Sequence, residues 1–167
     1  MEVSFNDLQI AKSLIYEKHG LELTNFKLHT ESADYAACAF ELNGKIVEYR
    51  QSKITPKKAG QFVTIWKRNQ ESITAPLDIT DGVDLVIISA RSSDNFGQFI
   101  FPLSVLADRG IVSRDGKKGK RGIRVYPPWV NATNNQAEKT QAWQTEYFLA
   151  IDKDKVLDLN LIEKILF

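Results

Sequence analysis

Gln51, one spacer and Lys53 close a strand-like segment, and Asp34 stands in the segment before it. An acid, an acid or amide, and a lysine brought together at strand ends are the groups that metal-assisted phosphodiester hydrolysis needs. The oxygens hold a divalent ion that activates water, and the ammonium stabilises the charge developing on phosphorus. Whether the three meet depends on the elements that carry them.

Asn43-Gly44 separates two alternating segments, residues 35–42 and 45–53. Both central residues of a type I′ turn need positive φ, so Asn-Gly between such runs predicts a two-residue hairpin loop. Leu42 then faces Lys45, Cys38 faces Tyr49, Ala36 faces Gln51 and Asp34 faces Lys53. Opposed residues have Cβ atoms roughly 4.5–5.5 Å apart, close enough for Asp34, Gln51 and Lys53 to share one ion and one phosphate. The plainer alternative is an Asp34–Lys53 cross-strand ion pair, worth about 0.2–1 kcal/mol. The other face of the hairpin, with Glu41, Glu48 and Arg50, reads as more solvated. After the hairpin, Thr55 as cap and Pro56 as first helical residue predict a helix through Arg68, with Ala59, Phe62, Val63 and Trp66 on its apolar side.

The rest of the chain supplies a frame for this hairpin. Ser4 and Asp7 suggest a capped first helix with Phe5, Leu8, Ala11, Leu14 and Ile15 inward, ending at Gly20. A short strand over 21–29 precedes the hairpin. Residues 83–90 and 97–101 read as a second antiparallel pair, and 102–109 as a short helix stopped by Gly110. A strand at 123–126, a helix over 136–147, a strand-like FLAI and a last helix near 157–166 complete a mixed α+β order.

At 167 residues, 43% hydrophobic and 26% charged, the chain has the composition of one globular domain with a substantial core. Its lone Cys38 excludes a disulfide framework and, on the core side of the hairpin, reads as a packed thiol. Neither a signal-like N-terminus nor an apolar run of spanning length is visible, so a cytoplasmic location away from membranes is expected. His19 and His29 form no zinc-like spacing with it.

Net charge is +1, but it is segregated: residues 42–68 and 109–124 each sum to +6, while 1–41, 69–108 and 125–167 sum to −4, −5 and −2. Two basic blocks in an otherwise acidic chain predict a polyanion-binding side. Lys57, Lys58, Lys67 and Arg68 come from the first block, and Lys117, Lys118, Lys120, Arg121 and Arg124 from the second. Glycines among the second set suggest close backbone approach to phosphate. Tyr126, Trp129 and Trp143 are candidate base-stacking rings, although Trp143 fits a core position equally well. Gln141 and Gln144 are candidate base-edge or phosphate contacts.

The chain resembles the MepB family through RQSKITPKKAGQFVTIWKR (50–68), GQFIFP (97–102), GKRGIRVYPPW (119–129) and QAWQTEYF (141–148). This resemblance covers nearly the whole chain as a single domain, residues 1–167. It implies a distant kinship to the restriction-endonuclease-like PD-(D/E)XK group, with an α-β-β-β-α-β core. In that motif Asp34, Gln51 and Lys53 take the catalytic positions, with Asp34 and Gln51 as ligands for Mg²⁺ or Mn²⁺. Two departures stand out: no proline precedes Asp34, and Gln51 replaces a carboxylate, for which Glu31, Asp81 or Asp84 would have to compensate.

The resulting expectation is a DNA-binding protein, as monomer or homodimer, acting as a metal-dependent endonuclease on modified or aberrant DNA. The alternatives are a nucleic-acid-binding protein that has lost cleavage, and a ligand- or partner-binding protein linked to drug response.

Overall fold

The computed structural model describes residues 5–152 and 159–166 of the protein. Helix α1 (Asn6–Ala11) continues through a π turn (Lys12–Tyr16) and a 3-10 turn (Glu17–His19) to Gly20, which takes φ 73° as a helix-ending glycine does. Leu8, Ala11, Ile15 and Tyr16 are buried along it. Ser4, the expected cap, lies outside the described residues, and Asp7 is turned inward and buried.

Strands β1 (Leu23–Leu28), β2 (Cys38–Leu42) and β3 (Lys45–Gln51) form the predicted meander. Asn43 and Gly44 have φ of 47° and 85°, and Leu42 pairs with Lys45 and Cys38 with Tyr49, the register that the Asn-Gly turn requires. Between β3 and the next long strand come β4 (Lys53–Ile54), β5 (Gln61–Thr64), β6 (Lys67–Arg68) and β7 (Thr74–Ala75). Then follow β8 (Leu85–Ser92), β9 (Asn95–Pro102), α2 (Leu103–Asp108), β10 (Gly122–Val125), α3 (Asn135–Gln144), β11 (Phe148–Ala150) and α4 (Leu159–Leu166). Of the helix expected near 157–166, residues 157 and 158 lie outside the described residues.

The main sheet has the order β1-β2-β3-β8-β9-β11 and is mixed, because β8 runs parallel to β3 while every other pair is antiparallel. One face packs on α1 and α4 through Phe40, Val47, Tyr49, Ile87, Ile100 and Ile162. The other buries Val86, Ile88, Ala90, Phe99 and Phe101 with Val63, Val125 and Leu106 from the small sheet and α2. The mixed α+β class stands as the sequence suggests.

One element of that expectation is replaced. No helix spans 55–68; the crossover from β3 to β8 is built from strands, of which β4 and β5 join β10 in a three-stranded sheet ordered β10-β5-β4. Lys57 and Gly60 take φ of 75° and 79°, which no helix tolerates. From Gln61 to Ile65 burial alternates strictly, so the apolar residues serve a period of two rather than 3.6. Pro56 therefore sits in a turn.

Candidate nucleic-acid interface

The predicted trio is not assembled by the hairpin. Strand β2 starts at Cys38, and residues 33–35 form a 3-10 turn flanked by Ser32 and Ala36 at φ 55° and 52°. Asp34 is exposed in that turn, so its pairing with Lys53 does not exist; Lys53 instead pairs with Phe62 and holds its ammonium 4.9 Å from the centre of the Tyr35 ring. Gln51 pairs in parallel with Ser89 and donates its amide to Asp7 Oδ2 at 3.2 Å. Asp7 Oδ1 accepts from Arg91 at 2.9 Å.

Behind that ion pair runs a buried polar network. Tyr16 donates to Gln98 at 2.7 Å, Gln98 and Tyr49 donate to Ser89 Oγ, and Ser52 donates to Gln61, whose amide reaches the Arg91 carbonyl. Burial pushes both phenols well above their ordinary range. Each polar group has a partner, which is what a buried network needs to be tolerated. Cys38 is buried beside it with its thiol pushed up to about 12 by desolvation, an inert packed thiol as expected.

The face expected to be solvated is covered at its Glu48 and Arg50 end, while Glu41 is half-buried and Ile46 beside it stays exposed. Arg50 is only 3% exposed, donating to the Thr64 and Tyr49 carbonyls and to Glu48. His29 also reaches Glu48, at 2.9 Å. Burial works to raise the Glu48 carboxyl, but the His29 hydrogen bond and the Arg50 charge outweigh it and hold the group below its ordinary range. The strands of the crossover fold back over this face, a long-range event that alternation along β3 cannot signal.

The residues fit a Mg²⁺ or Mn²⁺ site poorly. Among the described residues no group of three or more His, Cys, Asp or Glu side chains comes together. Asp7, the acid that does touch Gln51, is neutralised by Arg91. The three compensating candidates are engaged elsewhere: Glu31 with Arg68, Asp81 with Lys67, and Asp84 with the backbone amide of Ile46.

The two basic blocks, by contrast, meet. Strand β5 pairs with β4 on one side and β10 on the other, setting Lys53, Phe62 and Arg124 side by side on the outer face. Tyr35 packs edge-on against Phe62 at 6.3 Å. The 55–60 turn with Lys57 and Lys58 flanks one end of the small sheet, and the 117–121 loop flanks the other. Arg124 ties the blocks together by donating to Thr55 Oγ1 and the Ala59 carbonyl.

Among the described residues Lys57, Lys58, Lys117, Lys118 and Lys120 are exposed and make no ion pair. Lys67 and Arg68 are paired to carboxylates, and Arg121 donates to Thr74.

Several expected contacts turn out to hold the fold. A Cβ on Gly119 would lie 2.3 Å from the Ile111 carbonyl oxygen, and one on Gly122 2.6 Å from the Phe62 ring, so these glycines answer to packing. Trp129 packs edge-on against Phe148 at 5.6 Å. Gln141 donates to the Pro127 and Val130 carbonyls, while Gln144 bonds the Arg124 carbonyl and the Tyr126 amide, closing the free edge of β10. Tyr126 and Trp143 do line a cavity of about 490 Å³ between β10 and α3, together with Arg109, Lys120, Arg124 and Thr140. Arg109 is the residue that sequence analysis passed over; its signal is the basic block that it opens.

A family model described as MepB-like matches residues 29–150. No curated protein matches the chain. Among solved structures, a crystal structure of MepB is similar at TM-score 0.76 and 32% identity, over 86% of this chain and 98% of that one. A bacterial homing endonuclease is similar at TM-score 0.47 and 15% identity, over 83% of this chain and 86% of its own.

Proposed function

The chain belongs to the MepB-like family, and from that premise we propose that it is a nucleic-acid-binding protein that grips DNA through the small sheet β4-β5-β10 without needing a divalent metal. The observation that carries this reading is the convergence of two basic blocks, distant in sequence, on one sheet whose flanking lysines pair with no carboxylate among the described residues. Exposed lysines track a phosphate backbone by charge, releasing counterions, while Phe62 and Tyr35 offer apolar rings between cations on which bases stack. Metal-dependent cleavage has weaker support, since Asp34 is outside β2, Gln51 binds Asp7, and Asp7 is neutralised by Arg91.

The test is fluorescence anisotropy with unmodified and base-modified duplex and single-stranded DNA, in EDTA, across a salt series. Binding is expected to persist in EDTA, with log K falling against log salt at a slope of about −4, as roughly five backbone contacts give. Failure to bind at low salt, or binding that appears only with Mg²⁺ or Mn²⁺, overturns the proposal.

A further inference from the structure

We propose that the cavity between β10 and α3 is a pocket for a phosphate monoester on a nucleotide, the terminal phosphate of a strand in the first instance. The inference rests on the nucleic-acid reading above and adds to it a discrete site with its own chemistry. The cavity measures about 490 Å³, enough for one nucleotide, and no carboxylate lines it among the described residues. Three cations line it: Lys120 and Arg124 from the β10 side and Arg109 from the end of α2.

None of the three cations forms an ion pair among the described residues. Arg124 spends its terminal nitrogens on Thr55 and Ala59, which fixes its position at the wall. Arg109 lies over the Trp143 ring, 4.9 Å from its centre, and so rests on an aromatic floor. Trp143 is itself packed on Phe101, which roots that floor in the core. Thr140 adds a hydroxyl on the α3 wall and Tyr126 a second ring.

Charge decides which phosphate this pocket prefers. A backbone diester carries one negative charge, whereas a monoester carries about 1.5 to 2 at neutral pH and three strong acceptor oxygens. Three cations without a counter-charge match the monoester better than the diester. The aromatic rings suit the attached base, so a free nucleoside monophosphate is the second source of the same ligand chemistry.

The experiment titrates the full chain with one short single strand bearing a terminal phosphate, the same strand ending in hydroxyls, and adenosine monophosphate. Preference for the phosphorylated strand by about tenfold, the scale of one added charge-assisted hydrogen bond, is expected. Arg109→Gln and Thr140→Ala are expected to abolish or shrink that preference while leaving the hydroxyl-ended strand bound as before. Equal binding of both strands overturns the pocket and leaves the sheet interface standing. Adenosine monophosphate binding that is lost in Arg109→Gln, with neither strand bound, supports the pocket for free nucleotide and sinks the sheet interface. Binding of none of the three overturns both.

Discussion

Two polar regions sit at the ends of neighbouring strands and behave in opposite ways. At the end of β3 and β8, Asp7, Gln51, Ser89 and Gln98 are buried or half-buried while Arg91 caps them from the surface, and each is bonded to another protein group. On the small sheet and its flanking turns, Lys57, Lys58 and Lys120 are exposed and form no ion pair among the described residues. A polar group withdrawn from water must have its partners supplied by the fold, whereas a solvated cation stays available for an external one. The region that looks catalytic in sequence is therefore engaged within the fold, and the region that looks like a helix carries the surface proposed for binding.

The largest effect that sharpens this contrast is on binding. Combined Lys57→Glu, Lys58→Glu and Lys120→Glu is expected to weaken DNA affinity on the order of a hundredfold at low salt and to flatten the salt slope by about three. Thermal stability should not change, because none of the three forms an ion pair among the described residues. An unchanged affinity in the anisotropy assay would remove the small sheet from the interface.

Asp7→Ala tests the other region. It leaves the Arg91 guanidinium and the Gln51 amide without their acceptor, for a loss of about 1.5–3 kcal/mol in urea unfolding. Arg91 is partly exposed and water takes over some of its bonding, which favours the lower end of that range. DNA binding should be retained; a protein that unfolds normally but no longer binds would make Asp7 part of the interface after all.

The smallest effect is on acid stability. Glu48 is held below the ordinary carboxylate range in the folded state, so its ionised form stabilises the fold in full above the unfolded-chain pKa of about 4.3 and loses that contribution as pH falls through the lower folded value. Glu48→Gln should therefore be less stable than the parent at neutral pH, with the gap closing in thermal melts as the pH drops below about 4. Parallel curves for the two proteins would show that Arg50 and His29 do not depend on this charge.

The hairpin illustrates what short-range signals convey. Asn43-Gly44 demands a particular backbone geometry, and the register follows at once from Leu42 through Cys38. Its extension to Asp34 fails because Ser32 and Ala36 adopt left-handed conformations that end the strand, and neither residue type announces that. Likewise Ala59, Phe62, Val63 and Trp66 fit a helical stripe, but Gln61, Val63 and Ile65 fit a strand equally well, and pairing with β10 decides between them.

The sequence by itself determined the family, the mixed α+β class, the meander, the buried thiol of Cys38 and the segregation of charge into two basic blocks. These follow from local turn chemistry, from composition and from the order of charges along the chain. Tertiary structure alone decided that the two blocks meet on one sheet, that Arg109 closes a cavity with Lys120 and Arg124, and that Glu48 and Arg50 are covered. Each of these depends on which distant strand pairs or packs with which, a choice made by the shared burial of β5, β10 and the main sheet rather than by any neighbouring residues.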